Sequence, residues 1–236
     1  PGCISILVTG HGKTVGKAQG ICEHMHKKFL LVDIPGTYSI MSNSEEEEIA
    51  RNYICFGEHD ATIIVLDATC LERNLNLVYQ VLEITNKVVV CVNLLDEAEK
   101  KGISIDFPAL SKSLGVPVVG TTAKKPRTLK KLMDTVIGVC EGTILCTPHE
   151  ITYPPCVEEA ISLLEPYVAK RSFSLPARWI CLKWLDGNAS IMQSIEEHTQ
   201  ISFDLLSSQK QEAEAILGRN SINTSTLKDV IVSSIV

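Results

Sequence analysis

Along the first 146 residues, short apolar runs alternate with amphipathic stretches, and each run stops at a polar residue or a glycine. Phe29 to Val32 predicts a buried strand that delivers Asp33 to its carboxyl end, just before a Pro-Gly turn. Ala61 to Ala68 predicts the next strand, and Leu71, Leu75, Val78 and Leu82 then recur at helical spacing, as an amphipathic helix requires. Lys87 to Val92 is a further strand and runs into Asn93-Leu94-Leu95-Asp96. A helix over Phe107 to Leu114 and a strand over Val116 to Val119 follow, the latter leading to Thr121-Thr122-Ala123. This alternation predicts an α/β fold, a doubly wound, mostly parallel sheet. Upstream, Ile4 to Gly10 fits either a strand or the end of a helix, and residues 14–32 fit two strands around a hairpin. Glu45 to Glu48 lead into an apolar stretch and read as the solvated, acidic first turn of a helix, since adjacent helical residues point apart and cannot converge on a cation.

From Thr147 the texture changes. The Pro-rich stretch TPHEITYPP resembles a linker, and strand patterns give way to helical ones: Val157, Ile161, Leu164 and Val168 in one stripe, a second helix from Ala177 ending at Gly187, and a third over Phe203 to Leu217. Trp179 and Trp184 are expected in its core. The predicted organisation is therefore a domain over 1–146 and a small all-helical domain over 147–236. The 236 residues have room for two modest cores, and 45% hydrophobic with 21% charged residues excludes a disordered chain. A net charge of −6 argues against nucleic acid as a partner. The nine cysteines include no Cys-x-x-Cys pair, which favours reduced thiols. No apolar run approaches the roughly 18 residues of a membrane span. The chain begins at Pro1 with no initiator Met, which points to a fragment.

Three strand-end loops carry candidate chemistry. In Asp33-Ile34-Pro35-Gly36 the carboxylate can act on Mg²⁺ through water, while the glycine N–H can approach a γ-phosphate with no Cβ in the way. In Asn93-Leu94-Leu95-Asp96, 60 residues on, the aspartate can accept hydrogen bonds from the N1–H and exocyclic amine of guanine while the asparagine braces neighbouring loops. Thr121-Thr122-Ala123 can offer backbone N–H groups to the guanine oxygen. That order is the order of a GTP-binding G domain. The phosphate loop G-x-x-x-x-G-K-S/T is missing: Gly12-Lys13-Thr14 has the final triplet, but Leu7 stands five residues before Gly12, and Gly16-Lys17 is followed by Ala18. Cys22, His24 and His26 alternate and could ligate a metal, though the solvated face of an edge strand is the simpler reading.

The stretches DIPGTYSI, SEEEEIARNYI, DATCLERNLNLVYQVLE, VNLLDEAEKKGISID and LSKSLGVPVVGTTA resemble successive signatures of the cytosolic G domain of the ferrous iron transport protein B (FeoB) family, from about residue 10 onward. The resemblance implies a P-loop GTPase-like G domain followed by a helical, dissociation-inhibitor-like domain that leads to a membrane region carrying the iron path. It aligns Gly12-Lys13-Thr14-Val15 with the family's second G motif, where Thr14, like Asp33, would serve Mg²⁺. It also makes Ile4 to Gly10 the end of the helix after the phosphate loop, so that loop and the first switch fall outside this sequence, unless the protein has shed its phosphate grip. The implied ligands are GTP or GDP and Mg²⁺, with a monovalent cation as a further candidate. The implied partner is the membrane-spanning iron permease region of the same full-length protein, at the cytoplasmic face of the bacterial inner membrane. Self-association is left open. Thr37 stands where many GTPases carry a water-orienting Gln, so hydrolysis is expected to be slow and to act as a switch. A nucleotide-free pseudo-GTPase module and a soluble translation-type or tRNA-modifying GTPase are the alternatives. Against the last, residues 150–236 read as an acid-rich helical bundle without basic and aromatic clustering.

Overall fold

The computed structural model describes residues 4–10, 18–34, 45–170, 174–200 and 202–235, and the chain divides into two compact units, Pro1–His149 and Glu150–Val236. In the first unit six strands form one sheet: β1 (Ile4–Gly10), β2 (Ala18–His24), β3 (Lys27–Asp33), β4 (Ala61–Asp67), β5 (Val88–Asn93) and β6 (Val118–Gly120), in the order β2-β3-β1-β4-β5-β6. Every pair is parallel except β2 with β3. Helices α1 (Glu45–Phe56), α2 (Leu71–Leu82), α3 (Leu95–Lys100), α4 (Phe107–Leu114) and α5 (Pro126–Cys140) supply the crossovers and the cover. The inner strands are buried on both faces, as β5 shows with five consecutive buried residues before Asn93. Asp106 caps the start of α4 by accepting from the Ala109 N–H, and Gly115 ends it in the left-handed conformation at φ +69°.

Ile4 to Gly10 is a strand, which corrects the helix end implied by the family resemblance. It lies between β3 and β4 and pairs with both, Val8 standing opposite Asp33 on one side and Ile63 on the other. With that slot empty, two buried strands would each face an unpaired row of N–H and C=O groups, and β-branched ISILVTG satisfies both ladders.

Two further expectations need correcting. The buried residues of α2 are Asn74, Leu77, Val78, Gln80 and Val81, whereas Leu71, Leu75 and Leu82 are only half-buried. The helix is turned so that the Asn74 amide reaches the Asp67 carbonyl and the Cys70 sulfur at 3.5 and 3.6 Å. Cys22 and His24 also do not lie on a solvated face. Both are half-buried, and His24 Nε2 sits 2.6 Å from Asp134 Oδ1 on α5, while Lys27 pairs with Glu141 at the end of the same helix. His26 is exposed in the turn at φ +61°, so the three side chains never share a face. Among the described residues no group of three or more His, Cys, Asp or Glu side chains could hold a metal ion.

The second unit is helical: α6 (Pro155–Ala169), α7 (Ala177–Leu185), α8 (Ala189–Thr199), α9 (Ser207–Arg219) and α10 (Thr224–Ile235). Val157, Ile161, Leu164 and Val168 are fully buried, and Trp179 and Trp184 join them, Trp184 meeting Phe203 edge to face at 5.1 Å. The stretch expected as a third helix from Phe203 is a short 3-10 turn followed by α9. Arg178 ties α7 to the entry of α6, bonding Glu158 through both terminal nitrogens (2.6 and 2.8 Å), Glu150 (2.8 Å) and the Ile151 carbonyl (3.0 Å). The Arg178 hydrogen bonds hold the Glu158 carboxyl below its ordinary value. At the α7–α8 corner Lys183 and Asp186 form a buried ion pair at 3.2 Å, and Asp186 also accepts from the Asn188 N–H at 2.9 Å. Among the described residues no helix is long and apolar enough to cross a membrane.

Candidate functional site

Because β3, β1, β4, β5 and β6 all run the same way, Asp33, Gly10, Asp67, Asn93 and Gly120 end on one edge of the sheet. The chain leaves central β1 for β2 and β3 on one side and later crosses to β4 on the other, so the strand order reverses at β1. In open α/β sheets the crevice outside the carboxyl ends at such a reversal is where ligands bind. Asp33 and Asn93 are three strand spacings apart, about 14 Å across the edge. Asp33 is exposed, while the next residue, Ile34, is buried and bonds through its N–H to the Val8 carbonyl at 3.1 Å. Buried Ile34 thus anchors the strand end that presents the Asp33 carboxylate. Gly12, Lys13, Thr14, Pro35, Gly36 and Thr37 lie outside the described residues.

The loops after β5 and β6 are locked together. Asp67 and Asn93 are register partners at the ends of β4 and β5. After Asn93 the backbone turns sharply at Leu94, which takes φ +62°, and α3 begins at Leu95 with Asp96 in its first turn. Buried Thr121 is the fastener: its N–H bonds the Val92 carbonyl (2.7 Å), its carbonyl accepts from the Leu95 N–H (3.3 Å), its hydroxyl donates to Asn93 Oδ1 (3.1 Å), and Cys91 Sγ lies 3.2 Å from that hydroxyl. Burial pushes the Cys91 thiol up, so it stays protonated. Asn93 is therefore oriented by its oxygen, which leaves its NH₂ to donate elsewhere. Asp96 is half-buried, and among the described residues no group hydrogen-bonds its carboxylate. Gly120 makes room for this arrangement, since a Cβ there would stand 2.6 Å from the side chains of both Leu95 and Phe107.

A residue the motifs did not reveal shapes the last loop. The Thr128 hydroxyl, in the first turn of α5, lies 3.2 Å from the Thr122 N–H as acceptor and 2.7 Å from the Lys125 carbonyl as donor. With the Thr121 and Thr122 N–H groups engaged and the Lys125 N–H bonded to the Thr122 carbonyl at 2.7 Å, the Ala123 and Lys124 N–H groups are left without a partner among the described residues. The signal in the sequence was a Pro opening a helix with Thr two residues later. Asp67, also at a strand end, has a different task. Burial works to raise its carboxyl, but hydrogen bonds from Thr69 and Cys70 and the charge of Lys101 outweigh that and hold it below its ordinary value, where it caps the turn entering α2. What the edge offers is a carboxylate at each end, an oriented amide, and two backbone donors, at Ala123 and Lys124, without a partner among the described residues. That donor and acceptor set suits a base with adjacent N–H donors and a carbonyl at one end and a cation-bearing anion at the other.

Comparison with known proteins agrees with this fold. The family model described as ferrous iron transport protein B matches residues 10–136, and that described as the FeoB cytosolic helical domain matches residues 153–233. The chain is 36% identical over 199 residues to the Fe(2+) transport protein A/Fe(2+) transporter FeoB fusion protein of Porphyromonas gingivalis, covering 82% of this chain and 24% of that one. It is 41% identical over 182 residues to the Fe(2+) transporter FeoB of Escherichia coli, covering 75% and 23%. The chain thus spans about a quarter of the length of the curated relatives it matches. Among solved structures, the cytosolic domain of the T. maritima FeoB iron transporter in a GDP form superposes with a TM-score of 0.74 at 25% identity, over 92% of this chain and 97% of that one. An S. thermophilus NFeoB variant bound to GDP·AlF4⁻ superposes with a TM-score of 0.79 over 98% of both chains; at 22% identity it speaks to the fold alone.

Proposed function

The chain belongs to the ferrous iron transport protein B family, and from that premise we propose that its strand-end loops bind a guanine nucleotide and regulate a membrane transporter of ferrous iron, from the cytoplasmic side of the membrane. The observation that carries the reading is the pair of Asn93, oriented by Thr121, and Asp96, whose carboxylate is left for a ligand. Asp96 accepts from the guanine N1–H and exocyclic amine, and the Ala123 and Lys124 N–H groups face the guanine oxygen. Adenine offers no such pair of donors, and bound there it would leave Asp96 unsatisfied. Asp33, an exposed carboxylate at its strand end, fits the hard-oxygen, mostly water-mediated coordination of Mg²⁺, which when bound neutralises phosphate charge. Gly12, Lys13, Thr14 and Gly36 complete the phosphate side in this proposal.

With Thr37 in place of a water-orienting Gln, GTP persists, and the nucleotide acts as a switch on the membrane region rather than as fuel. Hydrogen exchange tests the switch: loading with GTP instead of GDP should protect the amides from Asp33 into the first turn of α1, and identical exchange with both nucleotides would remove the switch from the account. One observation favours a second reading. The spacing G-x-x-x-x-G-K-S/T is missing, as expected of a nucleotide-free module that acts through binding alone. The two readings part on whether the protein binds GDP.

A further inference from the structure

We infer that β2 is a self-association edge, by which two copies of this chain pair antiparallel about a dyad at Ile21. Among the described residues the sheet has two free edges, and they are treated differently. β6 is blunted by its length, three residues, whereas β2 runs for seven, in unbroken register with β3 from Ala18 opposite Asp33 to His24 opposite Lys27. Natural sheets protect long edges with charged side chains, Lys above all, with Pro or with a bulge. Ala18–His24 has no Lys, Pro or bulge and a single exposed carboxylate, Glu23, and among the described residues nothing stands within 4 Å of the space a Cβ would fill at Gly20. Ile21 is 76% exposed and Met25 63% exposed at this edge, while Cys22 and His24 turn to the opposite, α5-packed face.

The backbone settles which groups are available. Met25 and His26 form a two-residue turn with φ +49° and +61°, the primed hairpin turn whose closing pair, His24 and Lys27, is hydrogen-bonded. Alternation then directs the N–H and C=O groups of His24, Cys22, Gly20 and Ala18 to β3, and those of Gln19, Ile21 and Glu23 outward. The outward set is symmetric about Ile21. In an antiparallel pair with a second copy, Ile21 falls opposite Ile21, and Gln19 opposite Glu23 on both sides of the dyad. All three outward residues find partners, two apolar side chains meet on one face, and each carboxylate faces an amide donor rather than another carboxylate. A second copy is therefore the occupant whose side chains match this edge at every outward position. Pairing confined to one strand buries less than the roughly 1,200–2,000 Å² of a standard interface, so the dimer is weak and dissociates on dilution.

Sedimentation velocity on the chain, from low micromolar to near-millimolar concentration, tests this. The wild type should shift from monomer toward dimer with concentration. Ile21→Lys, which sets two ammonium groups together at the dyad, should stay monomeric throughout with an unchanged circular dichroism spectrum. Gln19→Lys, placing opposite charges across both symmetry-related pairs, should tighten association about 2- to 30-fold, and Gln19→Glu should weaken it comparably. A wild type that is monomeric over the whole range overturns the inference and leaves the edge to some other extended partner. A dimer that survives Ile21→Lys, or that responds alike to Gln19→Lys and Gln19→Glu, overturns it equally.

Discussion

Replacing Asp96 with Asn is expected to cost about 10²- to 10⁴-fold in affinity for GDP, because two hydrogen bonds to a charged group contribute about 1.5–3 kcal/mol each. The Asn amide keeps one acceptor, now uncharged, for the N1–H but turns a donor toward the exocyclic amine of guanine, so one contact weakens and the other becomes repulsive. Xanthosine diphosphate carries a carbonyl at that position, and the variant should prefer it over GDP. The inversion separates base reading from damage to the fold, since a misfolded loop would lose both ligands. Calorimetric titration of wild type and variant with the two diphosphates decides the matter, and unchanged GDP affinity in the variant would exclude Asp96 as the base reader.

Lys183→Met should destabilise the helical unit by about 3–5 kcal/mol, the range for breaking a buried ion pair from one side. Lys183 and Asp186 are 3% and 2% exposed, so the abandoned carboxylate has no route to water and, among the described residues, keeps only the Asn188 N–H. For a unit of this size the midpoint of thermal unfolding should fall by about 10 °C or more. Both tryptophans of the chain, Trp179 and Trp184, lie buried in this unit, so their fluorescence follows its unfolding and not that of the sheet. Lys183→Met with Asp186→Leu should be less damaging than Lys183→Met alone, because no orphaned charge remains. A midpoint within a degree of wild type for the single variant would mean that Asp186 finds other compensation.

The parts of the fold legible in the sequence were those where local chemistry and tertiary demand coincide. Phe107–Leu114 was readable because Asp106 and Gly115 punctuate it, and the strands ending at Asp33 and Asn93 because unbroken apolar runs meet a polar stop. Ile4–Gly10 was ambiguous because seven residues of mixed β-branched character fit either element. The vacancy between β3 and β4 decides it, and no local pattern announces that. The rotation of α2 has the same origin: apolar residues occur on more than one of its faces, and the contacts of Asn74 choose among them. Helices α8 and α10 were missed although their caps were in view. The Asn188 side chain accepts from the Ile191 N–H, and the Asn223 side chain from the Ser225 and Thr226 N–H groups.

For the site, the acids and amides at strand ends were visible, but the fastening was not. Thr121 reaches Asn93 across 28 residues and Cys91 across 30, contacts that depend on strand order. Thr128 acts on a loop whose motif it does not belong to. Cys22 and His24 looked like a solvated pair because the sequence around them is silent about α5, where Asp134 waits.

The central claim is that the carboxyl edge of the sheet reads guanine. Titration of the wild-type chain with GDP and with ADP, in the same buffer with Mg²⁺, tests it most directly. Saturable binding of GDP with ADP weaker by about 10²-fold or more is the predicted result. Equal affinity for the two nucleotides, or no binding of either, would contradict it.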